Sequence, residues 1–415
     1  MGKVDKLGKI RYNNFDFRFY REMIGYMKDS NRHNKILNRL LVLLLGPFLR
    51  LIFRYRHDKH RLTGPTLVIC NHVTNYDPLL LSVCFPWDHT HFVASEHLFR
   101  LGWVSKFLKY VFDPIPRRKA TSGADTAMAC LRKLRAGRSV CLFAEGECTW
   151  DGVTAEIVPS TGRLARMSGA TLLTCRMEGG YLTSPRWGKG VRRGKMTCRV
   201  VGQYSADELK KMDAGQIEDI IRRDIHTDIW EEQRRNPVAY RNRRRAENLQ
   251  AVLYLCPACK QFGQMTGKGK KLSCTCGKTW EFTPFGSFSP AEPFENIAQW
   301  DAWQKEELAR QMADSRLLLH DEGVMVMRVE ADHQQTHLET DTLILENGVL
   351  RCGQLQWELT KIDDLALVLS RNLLLSIGKD YYQLKGSKGC SLRKYRAAWE
   401  AAKAQNAEAE ACAAP

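Results

Sequence analysis

A histidine and an aspartate separated by four residues form the pattern in this sequence that is best suited to catalysis. His72 and Asp77 lie in the segment Asn71–Pro78, directly after an apolar run that ends at Cys70. Pro78 suits the first turn of a helix and Asp77 its N-cap, so we expect His72 in a strand-to-helix loop. A carboxylate bonded to one ring nitrogen raises the basicity of the other. The pair therefore predicts a general base that takes a proton from an attacking alcohol.

Four cysteines have the spacing of metal ligands. Cys256 and Cys259 form a Cys-x-x-Cys pair, and Cys274 and Cys276 follow as a tighter Cys-x-Cys pair. Four thiolates make the closed tetrahedral site that is typical of structural zinc. We therefore predict a zinc ribbon over residues 252–286 with a structural Zn ion.

The segment that must position the histidine has the pattern of an α/β domain. From Thr66 to about Val201, short apolar runs alternate with helical stretches, which predicts a mainly parallel sheet flanked by helices. A long polar helix over Asp207–Arg235 and a basic linker over Arg241–Arg245 are predicted to follow. This α/β domain should extend over residues 59–245.

The last third of the chain has a different pattern. Residues 293–403 contain one helical stretch, then several short strands separated by turns, and then a closing helix. This order resembles PH-like (GRAM-type) domains, so we predict a small β-rich domain here. The Ala- and Glu-rich tail, residues 404–415, is predicted to be disordered.

The N-terminal region, residues 1–58, has the composition of helices that lie on a membrane surface. Residues 9–30 are rich in aromatic and basic side chains, and the apolar segment Ile36–Phe53 is interrupted by Arg39 and Arg50. A membrane-spanning helix needs about 20 residues with few or no charges. We predict amphipathic, membrane-associating helices, and helices packed on the protein's own core are the alternative.

Charge narrows the range of partners. The 415 residues include 63 Lys and Arg against 46 Asp and Glu, a formal net charge of +17. Such a surface attracts nucleic acid, anionic lipid headgroups or phosphorylated substrates. The sequence also lacks the pattern of a cleaved signal peptide, so we expect a cytoplasmic protein.

Four ordered motifs resemble those of the glycerolipid acyltransferase family, of the lysophosphatidate acyltransferase type. They are Asn71-His72 with Asp77, Ile115-Pro116-Arg117, Phe143 with Glu145-Gly146, and the strand Ala170–Cys175 preceded by the turn Pro159–Arg163. The resemblance covers about residues 35–235. It implies an acyl-CoA or acyl-ACP donor and direct acyl transfer, with His72 as the base and Asp77 orienting it. It also implies substrate-binding roles for Asn71, Arg117, Glu145, Gly146, Gly162 and Arg163.

Two positions depart from the family pattern. Cys148 stands where the family usually has an arginine that contacts the acceptor phosphate, and Thr171 replaces a proline. The first departure puts the phosphate-bearing acceptor in doubt. Four arginines that could compensate are Arg163, Arg186, Arg192 and Arg193.

The resemblance implies an enzyme that esterifies a lysophospholipid, with 1-acyl-sn-glycerol-3-phosphate as acceptor and phosphatidate as product. Its partners would be the lysophospholipid, the acyl thioester, an acyl carrier protein and an anionic membrane surface. The enzyme would be cytoplasmic and peripheral, on the inner face of the membrane. An acyltransferase with a different lysolipid acceptor is one alternative. The other is a non-catalytic, basic zinc-ribbon protein that binds nucleic acid or a partner protein, and the intact His72 and Asp77 argue against it.

Overall fold

The computed structural model describes residues 36–37, 39–95, 103–117, 123–330, 334–368, 371–387 and 389–413. Within these residues the strands form three sheets, of seven, four and seven strands. The surface helix predicted at residues 9–30 lies outside the described residues.

The first sheet is mainly parallel. Its strands are β1 (Tyr55–His57), β2 (Thr66–Cys70), β3 (Thr90–Ser95), β4 (Ile115–Arg117), β5 (Ser139–Phe143), β6 (Thr171–Glu178) and β7 (Met196–Tyr204). They are ordered β1-β7-β6-β2-β5-β3-β4, and every neighbouring pair is parallel except β6 and β7. The predicted α/β fold with a mainly parallel sheet is confirmed for this part of the chain.

Helices cover both faces of this sheet. They are α1 (39–53), α2 (Asp77–Ser82), α3 (Trp103–Phe112), α4 (Ala124–Arg135), α5 (Thr161–Ser168), α6 (Gly180–Thr183), α7 (Ala206–Lys210), α8 (Ala214–Ile225) and α9 (Ile229–Arg235). All five residues of β2 are buried. Val68 and Cys70 belong to one apolar cluster, and Leu67 and Ile69 belong to another. A strand covered on both sides explains the uninterrupted apolar run in the sequence.

Helix α1 is only half covered. Val42, Leu49 and Phe53 are buried against the domain, whereas its other side is exposed. None of the helices in the described part of the chain has the length and apolar content needed to cross a bilayer.

The single long helix predicted over Asp207–Arg235 was wrong, because capping side chains at Asp213 and Asp228 divide the segment into three helices. Ser205 and Asp213 each complete a capping box, at the start of α7 and of α8 respectively. The carboxylate of Asp228 accepts backbone N–H groups at the start of α9. Each cap satisfies amide groups that a continuous helix would bond internally, so each begins a new helix.

The four-stranded sheet carries the cysteine cluster. It consists of β8 (Met265–Lys268), β9 (Lys271–Cys274), β10 (Thr279–Phe282) and β11 (Phe288–Ser289), all antiparallel. The linker predicted at Arg241–Arg245 is instead packed against it. Arg245 is buried, donates to the carbonyl oxygen of Phe282 and lies 2.5 Å from Glu281.

The second seven-stranded sheet is antiparallel and lies between two helices in the chain order. The elements are α10 (Ile297–Ala313), β12 (Leu318–Val329), β13 (Gln335–Glu346), β14 (Val349–Cys352), β15 (Leu355–Glu358), β16 (Asp364–Val368), β17 (Asn372–Ile377), β18 (Asp380–Lys385) and α11 (Arg393–Ala413). The sheet order is β15-β14-β13-β12-β18-β17-β16. A β-rich C-terminal region is therefore present, and its PH-like character stays a prediction. The disorder predicted at 404–415 was wrong up to Ala413, because alanine and glutamate are strong helix formers.

Substituting Gly162 with alanine should destabilise the α/β domain. A Cβ atom at this position would lie 2.1 Å from the carbonyl oxygen of Ala214 and 2.7 Å from Cγ of Glu218, both on α8. Overpacking of this kind costs about 2 kcal/mol, so the melting temperature should fall by several degrees. Arg166→Ala, at an exposed position of the same helix, is the control and should leave the melting temperature nearly unchanged. Equal melting of both variants would contradict the close packing of α5 on α8.

Candidate active site and metal centre

The sheet order explains how residues far apart in sequence come together. Strands β2 and β5 are parallel neighbours, with Cys70 paired to Phe143 at their carboxyl ends. The loops that leave these ends carry His72 and Glu145. In parallel sheets the functional loops gather at this edge. The first and third sequence motifs therefore meet in one place.

His72 and Asp77 are bonded as the sequence predicted. The ring Nδ1 of His72 lies 2.8 Å from Oδ2 of Asp77. The carboxylate also accepts the N–H groups of Val73 and Thr74 and the hydroxyl of Thr74, at 2.7 to 2.9 Å. One detail differs, because Asp77 is the first residue of α2 and Tyr76 is its N-cap. The carboxylate nevertheless folds back over the loop and fixes the ring orientation.

Glu145 connects two loops through hydrogen bonds to their backbone. Its carboxylate accepts the N–H of His72 at 2.6 Å and the N–H of Ala155 at 2.8 Å. Burial raises the pKa of Glu145 to about 8, although both N–H groups stabilise its charged form. This side chain therefore holds the backbone of the histidine loop against the loop that follows β5.

Asn71 is fully buried beside the histidine. Its side-chain amide donates to the carbonyl oxygen of Met177 and accepts the N–H of the same residue, at 2.9 and 2.8 Å. Met177 belongs to β6, so Asn71 extends the pairing of β2 with β6 beyond the end of β2. The structure places this residue in the scaffold beneath the loop.

Arg117, at the end of β4, reaches the turn after β5. A Cβ atom on Gly146 would lie 2.6 Å from Nη1 of Arg117, and Gly146 has a φ of +74°. Only glycine combines this backbone conformation with such close approach of a side chain. The second and third sequence motifs are thus in contact, and a guanidinium group lies next to the loop of Glu145.

Gly162 and Arg163 occupy different environments. Gly162 is buried against α8, and its N–H points at Oε1 of Glu218 at 3.2 Å. Arg163 is exposed.

Two of the arginines that could replace the family arginine form hydrogen bonds within the protein. Arg186 bonds to Glu147, and Arg192 is buried with its guanidinium on the carbonyl oxygen of Arg245.

Cys148 lies against the imidazole ring of His72, a contact that the sequence analysis did not predict. Its Sγ is 3.3 Å from Nε2 and 3.4 Å from Nδ1 of His72. The aromatic ring of Phe143 stacks on the same imidazole, with centroids 4.2 Å apart. His72 is about one-fifth exposed, with 19% of its side chain accessible. The signal that could have found this contact is the cysteine's place three residues after Glu145, on the loop that faces the histidine loop.

Two neighbouring groups raise the proton affinity of His72. Burial by itself lowers the pKa of this group, but the sulfur of Cys148 and the carboxylate of Asp77 outweigh burial and raise the pKa to about 10.

The four predicted metal ligands form a compact cluster. The Sγ atoms of Cys256, Cys259, Cys274 and Cys276 all lie within 4.8 Å of one another. Two of the sulfur pairs are 3.9 and 3.7 Å apart. A tetrahedral zinc ion with Zn–S bonds of about 2.3 Å separates its sulfurs by about 3.8 Å. The sulfur positions fit a zinc ion. One cysteine pair lies before β8, and the other lies at the end of β9 and in the turn that follows it.

Removing one ligand should remove the metal. We expect the purified wild-type protein to contain about one zinc per chain and Cys256→Ser to contain almost none, because three thiolates do not close the tetrahedral site. Metal content measured by atomic spectrometry checks this. Cys390→Ser, a change outside the cluster, should retain the metal. Equal zinc in the wild type and in Cys256→Ser would contradict the zinc site.

Comparison with known proteins yields two findings. Residues 52–178 match the family model described as Acyltransferase. Among solved structures, the chain is similar to the crystal structure of the 1-acyl-sn-glycerophosphate (LPA) acyltransferase, PlsC, from Thermotoga maritima. That match has a TM-score of 0.38 and 17% sequence identity, and it covers 52% of this chain and 87% of the other. Residues 52–178 run from the end of α1 to the end of β6, so the segment that is similar to acyltransferases includes His72, Asp77 and Glu145.

Proposed function

We propose that the protein transfers a fatty acyl group from acyl-CoA or acyl-ACP to the free hydroxyl of a lysophospholipid. The acceptor we favour is 1-acyl-sn-glycerol-3-phosphate, with phosphatidate as the product. The observation that carries the proposal is the bond between His72 and Asp77, at the carboxyl end of β2. It lies inside the segment that matches the acyltransferase family model.

The proposed roles follow from the contacts. In its neutral form the imidazole of His72 takes the proton of the attacking hydroxyl, and Asp77 keeps the ring oriented and compensates the positive charge that forms. Glu145 and Asn71 hold the loop, and their buried hydrogen bonds support a positioning role in place of direct substrate contact. Gly162 is assigned to helix packing on the same grounds.

Arg117 is the proposed contact for the acceptor phosphate, and Arg163 remains a candidate for a second one. The guanidinium of Arg117 lies beside Gly146, next to the loop that holds His72. A guanidinium group binds phosphate through two parallel hydrogen bonds. Cys148 in place of an arginine removes one such contact. That substitution also favours the alternative of a lysolipid acceptor whose phosphate carries a further headgroup.

The exposed side of α1 is the proposed membrane contact. Five apolar side chains lie on it with half or more of their surface accessible, namely Leu40, Leu43, Leu44, Phe48 and Leu51. Trp87 is 45% exposed, and its carbonyl oxygen accepts a hydrogen bond from Arg39. An apolar face next to arginines and a tryptophan suits the interface of an anionic bilayer. Such docking would bring lipid substrates to a peripheral enzyme at the inner face of a membrane.

Replacing His72 should abolish acyl transfer. With palmitoyl-CoA and 1-acyl-sn-glycerol-3-phosphate in mixed vesicles, the wild type should release free coenzyme A. His72→Ala should reduce kcat by roughly 100- to 10,000-fold, because the general base is lost. Release of the thiol is measured with a chromogenic disulfide.

The matched control is His226→Ala, at an exposed position at the end of α8, which should keep wild-type turnover. A panel of lysolipids with and without headgroups, tested in the same assay, identifies the acceptor. Turnover by His72→Ala within about twofold of the wild type would mean that this histidine is not the base.

Charged residues on the exposed face of α1 should weaken membrane binding. Wild-type protein should co-sediment with vesicles that contain phosphatidylglycerol, and the double variant Leu44→Asp, Leu51→Asp should bind at least about tenfold more weakly, since two apolar side chains no longer enter the bilayer. Leu338→Asp changes a leucine on β13 that is 40% exposed; it is the control and should bind like the wild type. Equal binding of all three proteins would contradict the proposed contact.

A further inference from the structure

Three segments that follow β6 contribute exposed cationic side chains to one surface, which we call the basic patch. Its members are Arg193, Lys195, Arg241, Arg243, Lys268 and Lys270. All six lie beyond residue 178, where the segment that is similar to acyltransferases ends. The proposed acyl transfer by itself therefore gives no reason for the basic patch.

The first two segments are paired through their backbones. Arg193 and Arg241 exchange N–H to carbonyl hydrogen bonds of 3.1 and 3.0 Å. Two residues paired in this way carry their side chains on the same face, with Cα atoms about 5.5 Å apart. The hydroxyl of Tyr240 donates to the carbonyl oxygen of Lys195 at 2.9 Å. Three of the six cations are therefore neighbours in space.

The third segment is the turn between β8 and β9, and it packs on the second. The N–H of Ala246 donates to the carbonyl oxygen of Gly269 at 2.9 Å. A Cβ atom added to Gly269 would lie 3.8 Å from the carbonyl oxygen of Arg243. The four-stranded sheet thus places Lys268 and Lys270 beside the other members of the basic patch.

The carboxylates close to the basic patch are bonded to other cations. Glu247 accepts two hydrogen bonds from Arg244, at 2.7 and 2.6 Å, and Glu281 lies 2.5 Å from Arg245. Among the residues that the structure describes, no carboxylate forms an ion pair with a member of the basic patch. Six like charges without a carboxylate partner repel one another, and a surface of this kind attracts polyanions.

The basic patch begins where helix α1 ends. Strands β1 and β7 are parallel neighbours with Tyr55 opposite Met196, so the residues that precede them, Arg54 and Lys195, lie side by side. Arg54 is exposed and directly follows the last residue of α1. The cations of the basic patch therefore continue from the helix whose exposed apolar side is the proposed membrane contact.

The same end of the basic patch lies close to the histidine loop. A Cβ atom added to Gly179 would lie 2.1 Å from the carbonyl oxygen of Lys195. One added to Gly180 would lie 2.4 Å from Cγ2 of Val73, the residue after His72. A partner that covers the basic patch would therefore lie at the edge of the sheet that carries the histidine.

We propose that the basic patch binds the headgroups of an anionic membrane, as a second contact beside the apolar side of α1. This inference rests on the proposed function, which places the enzyme at a membrane, and it gives the four-stranded sheet a part in docking. An apolar contact alone or a basic cluster alone binds a bilayer weakly and reversibly, whereas the two together give stable docking.

Two observations favour a bilayer over nucleic acid as the partner. The aromatic residues that flank the first two segments, Trp187 and Tyr240, are buried, whereas proteins that bind single-stranded nucleic acid stack bases on exposed rings. The basic patch also continues from an exposed apolar helix side. A bilayer has an apolar interior beneath its charged headgroups and so matches both surfaces.

The test compares vesicle binding of the full-length wild type with that of the quadruple variant Lys195→Gln, Arg241→Gln, Arg243→Gln, Lys270→Gln. One basic residue near an anionic surface contributes about fivefold in affinity, so the variant should bind phosphatidylglycerol vesicles at least about 50-fold more weakly. On vesicles of phosphatidylcholine alone, the two proteins should bind equally. Added salt should bring the wild type towards the variant, because it screens the headgroup charges.

The control removes the same number of charges elsewhere. Arg351→Gln, Arg371→Gln, Lys379→Gln and Lys385→Gln, combined in one chain, change exposed cations of the second seven-stranded sheet. This protein should bind phosphatidylglycerol vesicles within about threefold of the wild type, because its lost charges lie outside the basic patch. Equal melting temperatures of all three proteins show that the substitutions leave the fold intact.

Binding and acyl transfer are measured separately. With the acceptor dissolved in a neutral detergent, the basic-patch variant should keep wild-type kcat, because no bilayer has to be bound. Equal binding of this variant and the wild type to phosphatidylglycerol vesicles would overturn the inference. It would be overturned as well if only binding of a labelled oligonucleotide were lost. If the wild type releases no coenzyme A in detergent or on vesicles, the proposed function fails, and vesicle binding still decides the role of the basic patch.

Discussion

The carboxylate of Asp77 is the group on which the rest of the site depends. It is fully buried, and an isolated charge in that position would cost several kcal/mol of stability. Three donors from Val73 and Thr74 and the ring of His72 surround it and compensate that cost. The same donors also define the path of the loop. The hydrogen bonds to Asp77 therefore determine both the charge distribution and the shape of the site. The position of the imidazole then follows from the position of this carboxylate.

Much of this site could be predicted from sequence, because its parts follow directly from local patterns. An apolar run before His72 indicated the buried strand β2, and the proline after Asp77 indicated the helix that presents the carboxylate. Glu145 follows another apolar run, and the two runs are neighbouring strands. The spacing of the cysteines likewise indicated a metal cluster, since four close ligands need only two tight turns.

What the sequence did not reveal depends on distances between elements. The contact of Cys148 with His72 requires the loops after β2 and β5 to meet in one particular arrangement, and no periodicity encodes it. Asn71 and Gly162 were assigned to substrate because of their motifs, and only the packing shows one bonded to β6 and the other pressed on α8. Helix breaks at Asp213 and Asp228 depend on side-chain caps, which a hydrophobic pattern does not contain.

The position of Trp150 links the packing of the loop beside His72 to the order of synthesis. Its ring is buried in an apolar cluster shared with residues of the cysteine sheet and of α11, and the guanidinium of Arg393 lies 5.4 Å from the ring centroid. The loop that carries Cys148 thus gains its contacts with α11 only after residues beyond 390 have left the ribosome, whereas its contacts with His72 and Arg186 form within the α/β part of the chain. We therefore expect this loop to reach its final packing only when the C-terminal half has folded onto it.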